Sequence, residues 1–205
     1  MSTASRLPQF VGRLASKLPV TVDSTVRRLA VLSLIGQTVL VVTGGAVRLT
    51  ASGLGCPTWP RCTNESLVNT PEMGIHGFIE FGNRLLTFAL AAVAALMLVY
   101  LWNLRKERKD LFLLALGLLA SIPAQAIIGG ITVLTQLNPW VVGLHFLVSM
   151  ALVVFATLLV NRAYGRTGRF RTHSLAALPG TLRPVMTAVA LFSAVAVMLG
   201  VVVTG

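Results

Sequence analysis

Met73-Gly-Ile-His76-Gly-Phe-Ile-Glu80-Phe-Gly-Asn83-Arg84-Leu-Leu-Thr87 opens a long apolar run, yet it carries an imidazole, a carboxylate, an amide and a guanidinium. His76, Glu80, Asn83 and Thr87 recur at three- and four-residue spacing, so a helix places them on one face. Ile75, Phe78, Ile79 and Phe81 fill the other positions. Polar groups on a helix entering a bilayer are costly unless they face protein, water or a ligand. The stretch reads as the outer turns of a membrane helix with a functional polar face. A solvated first turn is the simpler alternative.

Composition agrees with a membrane setting. Only 11% of the 205 residues are charged and the mean hydropathy is +0.82, whereas soluble domains carry about 25% charged residues. Runs of roughly 20 apolar residues read as spanning helices. Five are present, at about 28–47, 75–102, 111–134, 140–161 and 184–205. They lack strand alternation, which argues against a barrel. The expected fold is all-α and polytopic: a four-helix transmembrane bundle over 26–162, with an outer loop at 48–73. A basic link over 163–183 and a fifth helix over 184–205 follow. The fifth helix ends Gly200-Val-Val-Val-Thr-Gly, much as helix one carries Leu40-Val-Val-Thr-Gly44. This faint repeat suggests that a second bundle begins there; the chain is then part of a longer protein, or is naturally short and needs a partner.

The net charge of +11 is unevenly placed. The segment 1–25 and the start of helix one hold Arg6, Arg13, Lys17, Arg27 and Arg28; the link between helices two and three holds Arg105, Lys106, Arg108 and Lys109. The link between four and five holds Arg162, Arg166, Arg169, Arg171 and Arg183, while the opposite loops hold only Arg48 and Arg61. The positive-inside rule puts segment 1–25 and both basic links in the cytoplasm of a cell bounded by this membrane. Cations in short juxtamembrane links point to lipid headgroups and not to nucleic acid.

The outer loop Arg48-Leu-Thr-Ala-Ser-Gly-Leu-Gly-Cys56-Pro-Thr-Trp59-Pro60-Arg61-Cys62 is rich in Gly and Pro and is not helical. Cys56 and Cys62, the only cysteines, can close a small ring as a structural disulfide or act as a redox pair. Trp59 suits an interfacial anchor, as do Tyr100 and Trp102 at the inner end of helix two. Gly44 and Gly45 in helix one permit either close helix packing or contact with a flat ligand. Helix three holds Pro123, a candidate kink, and Gln125, which needs a partner inside the bundle; Gly129 and Gly130 allow close approach. Helix four follows Asn138-Pro139-Trp140 and sets His145 within the membrane. His173 sits in a basic link and reads as solvated.

Haem in a membrane bundle needs a histidine, room for a flat ring and cations for its propionates. His145 supplies a ligand, Arg84 and Arg48 the cations, and Glu80 a carboxylate able to move protons. Counting along helices of about 1.5 Å rise per residue places His145 near the level of Asn83, a poor iron ligand. His76 can replace it only from a tilted or deeply set helix. The rivals are a non-catalytic haem carrier or electron-relay subunit and a small transporter.

The stretch from Thr43 through Cys62 resembles the first outer segment of the haem A synthase family. Glu80-Phe-Gly-Asn83-Arg84 is similar to that family's Glu-x-x-His-Arg, and Gln125 through Leu134 and Pro139 through His145 resemble its third and fourth helices. The resemblance covers roughly residues 30–160. It implies oxidation of the C8 methyl of haem O to the formyl group of haem A. It also implies two four-helix halves, the first holding the substrate and the second a haem b cofactor that relays electrons. By correspondence Glu80 is the catalytic carboxylate, His145 an iron ligand, and Cys56 with Cys62 the loop pair. Asn83 departs from the pattern, which has histidine there. The implied partners are the lipid bilayer, haem O, haem O synthase, a membrane electron donor and a second copy of the chain. An identity as haem O synthase itself is disfavoured, because the only aspartates, Asp23 and Asp110, form no acidic metal-binding loops.

Overall fold

The computed structural model describes residues 18–165 and 180–204. Most of segment 1–25, most of the basic link and His173 lie outside the described residues. Among the described residues there are five long helices: α1 (Ser24–Leu49), α2 (Gly74–Tyr100), α3 (Lys109–Leu134), α4 (Pro139–Tyr164) and α5 (Leu182–Thr204), with a 3-10 turn at Pro71–Met73. The described residues contain no strand. The first four helices are long and apolar enough to cross a bilayer. The chain is a multi-pass, all-helical membrane protein.

Local chemistry sets the helix ends. Asp23 caps α1, its carboxylate accepting from the Val26 amide at 2.9 Å. Asn138 caps α4 through the Trp140 amide at 3.0 Å, with Pro139 in the first helical position. Between α3 and α4 the chain turns in four residues, and Gln136 and Leu137 take the left-handed conformation (φ 53° and 59°). Pro123 lies inside α3 without ending it. The ring costs the Leu119 carbonyl its amide donor, but the kink expected there is not a break.

Packing follows an up-down-up-down order. α1 packs on α2 and α4, and α3 packs on the same two, so α2 and α4 face each other along a diagonal. Among the described residues α5 packs chiefly on α4. The helices have two distinct halves. The apolar core joins Val26, Leu29 and Ala30 of α1, Met97 of α2, Leu111, Ala115 and Leu118 of α3, and Leu152, Ala156, Leu159 and Ala163 of α4. All of these lie toward the end that carries the basic links. Lipid tails are as apolar as leucine, so packing and not water exclusion holds this half together; its alanines let the helices approach closely.

The basic end is also tied by polar contacts. Buried Arg108 bonds the Asp110 carboxylate at 3.1 and 3.3 Å and the Arg162 carbonyl at 2.8 Å, joining α3 to α4. Arg27 of α1 stacks over the Tyr164 ring of α4 (5.6 Å), and Arg105 over Trp102 (4.8 Å). Trp102 is half exposed, as an interfacial aromatic should be. Arg108→Ala strands the Arg162 carbonyl and the partner carboxylate. It should cost about 1–3 kcal/mol of stability, read as a lower midpoint in detergent thermal unfolding, with Asp110→Ala costing less.

Candidate functional site

The opposite end of the bundle has polar groups where the first has a core. Glu80, on the second full turn of α2, is buried at 6% exposure. Its Oε2 accepts the Cys56 amide at 2.7 Å and its Oε1 pairs with Arg84 one turn on. The Arg84 guanidinium in turn donates to the carbonyls of Cys56 (3.3 Å), Thr58 (3.4 Å) and Arg61 (3.5 Å). One carboxylate and one guanidinium therefore organise the segment between the two cysteines, which are joined as a disulfide. His76 extends the arrangement outward: its Nδ1 lies 2.9 Å from Ser52 Oγ, and Ser52 is fully buried.

The loop forms a roof over this end. A Cβ on Gly55 would fall 2.3 Å from the His76 carbonyl oxygen, so only glycine lets the loop lie on the first turn of α2. Gly53 faces the Leu137 side chain in the α3–α4 turn, and Trp59 lies on Gly130 of α3, where a Cβ would sit 2.4 Å from the indole. Trp59 is thus docked on the bundle by one face, and not the free interfacial anchor that its position in the sequence suggests. It precedes a cis bond to Pro60.

His145 of α4 rests on α3. A Cβ on Gly129 would lie 3.3 Å from its Cε1. Its Nδ1 is buried and makes no hydrogen bond. Gln125, one turn from Gly129, finds its partners on α4: Nε2 donates to Ser149 Oγ at 2.6 Å and to the His145 carbonyl at 3.3 Å. Asn83 is tied to α1, its Oδ1 accepting from Thr43 Oγ1 at 2.7 Å. Gly44 and Gly45 have open space where a Cβ would be, so helix packing does not account for them. Arg48 lies in the last turn of α1, at the same end of the bundle.

The helix ends also correct the level expected for His145. It is six residues after Pro139, as Glu80 is six after Gly74; it is nineteen before Tyr164, as Phe81 is before Tyr100. Both counts put it level with Glu80 and Phe81, not Asn83. The count from the sequence set it near Asn83 because the apolar runs begin and end a few residues away from the true caps. Sequence reasoning also missed Ser149 and Thr43, whose hydroxyls looked like ordinary helix positions. Their only signal was polarity at the register of Gln125 and Asn83.

The arrangement defines a class: a polytopic α-helical membrane protein with a polar site beneath a disulfide-closed loop at one end of a four-helix bundle. Residues 27–205 match the family model described as cytochrome oxidase assembly protein. The chain belongs to that family. It is similar to the heme A synthase of Lysinibacillus sphaericus (strain C3-41), 33% identical over 138 residues, covering 64% of this chain and 43% of that protein. It is likewise similar to the heme A synthase of Listeria monocytogenes serovar 1/2a, 29% identical over 176 residues (85% and 57%). A third relative is the heme A synthase of Bacillus mycoides (strain KBAB4), 28% identical over 139 residues (66% and 44%). The chain spans about half the length of the curated relatives it matches. No solved structure matches it.

The roof can be tested at Gly130. Gly130→Ala puts a methyl group into the Trp59 ring, an overpacking worth about 1–3 kcal/mol. The variant should show faster protease cleavage within residues 57–70, while Gly117→Ala, in open space, should cleave at the native rate.

Proposed function

We propose that the chain holds haem O as substrate in the loop-end half of the bundle and contributes to oxidising its C8 methyl to the formyl group of haem A. The single observation that carries this is His145: a half-buried imidazole whose Nδ1 is buried and without a partner, in the half of the bundle that lacks an apolar core. Family membership and the heme A synthase relatives support the same reading. The residues fit a porphyrin chemically. An imidazole is available for iron, the glycines of α1 leave open space, and Arg48 and Arg84 place positive charge at the end where carboxylates would lie.

When bound, the porphyrin iron supplies the redox chemistry. The side chains do the rest. His145 fixes the ring, with Gln125 and Ser149 bracing the turn of α4 that carries it. Glu80 is aimed by the Cys56 amide and Arg84, so its carboxylate can take up and return a proton at one fixed place. Asn83, bonded to Thr43 by one end of its amide, has the other end to offer a ligand. His76, its Nδ1 engaged by Ser52, can ligate only through Nε2. The loop excludes water from the site. His76 and His145 are the only histidines among the described residues. Haem b is therefore proposed only as the relay that the resemblance implies, and no step passes through it.

The same reading puts the basic end in the cytoplasm and the site toward the outer face of a plasma or inner membrane. Haem O synthase as the source of substrate, a membrane electron donor and a second copy of the chain complete it as proposed partners. One observation favours a non-catalytic haem carrier instead: both oxygens of Glu80 are already engaged, one by the Cys56 amide and one by Arg84.

The test is to purify the protein, produced from its own gene, from membranes of a host that makes haem O. The extracted porphyrins are then resolved by chromatography. His145→Ala should lose bound porphyrin about tenfold or more. Glu80→Gln should keep it but lower formyl product by about a hundredfold, the usual scale for a lost acid–base group. Wild-type haem content in His145→Ala would overturn the binding site. Unaltered porphyrin side chains from the wild-type protein would establish the carrier.

A further inference from the structure

Gln125 has one half of its amide accounted for and the other not. Its Nε2 faces the His145 carbonyl and Ser149 Oγ, and Ser149 itself donates to the His145 carbonyl at 2.9 Å. A carbonyl only accepts, and the Ser149 proton is already committed to it. The amide nitrogen must therefore face this pair, since the flipped amide would set oxygen against oxygen. That fixes Oε1 on the other side, where it is buried and has no donor. His145 Nδ1, on the adjacent helix, is buried without a partner too. A buried acceptor left unmet costs more than a hydrogen bond returns, so its persistence calls for a ligand that brings a donor.

The chemistry of the porphyrin says what that donor is. Haem b carries only hydrocarbon substituents besides its two carboxylates, which accept when ionised. Haem O differs by a prenyl-bearing side chain with a hydroxyl group, the one donor on its periphery. We propose that Gln125 Oε1 accepts the hydroxyl of this side chain, and that the bond selects haem O over haem b at the site. The inference rests on the function proposed above and deepens it. It assigns to α3 a substrate-selecting residue distinct from the iron ligand and the carboxylate. A site built around a substrate hydroxyl rejects the analogue without one, because the site's own acceptor is then left unpaired.

The measurement is the ratio of haem O to haem b bound when the purified protein is equilibrated with an equal mixture of both. The wild-type protein should favour haem O. Gln125→Met keeps the shape and removes the acceptor; it should still bind porphyrin, with the ratio lowered about threefold to tenfold, the span that one net hydrogen bond confers. An unchanged ratio in Gln125→Met overturns the inference alone, since a buried water would then suffice for Oε1. Equal binding of the two haems by the wild-type protein overturns it without reference to any variant. Binding of neither haem overturns the proposed function itself.

Discussion

Hydrocarbon has no water to satisfy a polar side chain, so every such group in the bundle must be met by protein or by ligand. Glu80 is met by protein, and the rest of the site follows from how. Its two oxygens take one main-chain amide and one guanidinium. The guanidinium carries the demand onward to three loop carbonyls. These bonds tie down a segment of about twenty residues without regular structure between α1 and the Pro71 turn, which Ser52 on His76 and Trp59 on Gly130 also hold to the bundle. The disulfide closes too short a ring to hold it alone, worth about 2 kcal/mol in a chain-entropy account, and it anchors the loop to nothing. The carboxylate provides the anchor. Glu80 is buried and Arg84 partly so, and removing either leaves the other's partners unmet, so the Glu80–Arg84–loop chain holds as a unit.

The two ends of the bundle divide the work. At the basic end, alanines and leucines of α1, α3 and α4 interdigitate with Met97 of α2, and Arg108 ties α3 to α4. That end specifies the helix order without help from a ligand. At the loop end the helices carry Glu80, Asn83, Gln125 and His145, and glycines where a core would place larger side chains. Such a half cannot collapse on itself without stranding polar atoms, and two remain stranded, His145 Nδ1 and Gln125 Oε1. A rigid half thus presents an unfinished one, as expected when packing supplies the fold and a ligand completes the site.

The fold was legible in the sequence because hydropathy run length is set by bilayer thickness, and the helices fall within a few residues of the apolar runs. Glu80 and His145 were legible as candidates for the same reason: a carboxylate and an imidazole in such runs stand out. Their environments were not. Nothing in Gly-Cys56-Pro shows that the Cys56 amide ends on Glu80, because that contact depends on how Gly55 lies against α2. Trp59 looked like a lipid anchor since position along the chain gives its depth but not its neighbour, and its neighbour is Gly130 of a helix far along the chain. The role of Gly129 and Gly130 was half legible: close approach was expected, but helix backbones were not what approached.

Asn83 shows where a motif and its geometry part company. The family pattern places histidine there, and an asparagine leaves the proposed iron without that ligand. Yet the helix ends set His145 level with Glu80 and Phe81, and Asn83 lies deeper, bonded to Thr43 of α1. His76 lies a turn farther out, bound to the loop. No imidazole of α2 stands across the bundle from His145 at its own height. On the proposed reading the porphyrin is then held from α4 alone, and α2 contributes a carboxylate and an amide. On that reading Glu80 is the one titratable α2 side chain at the level of His145, and that level follows from the lengths of two helices, whatever residue occupies position 83.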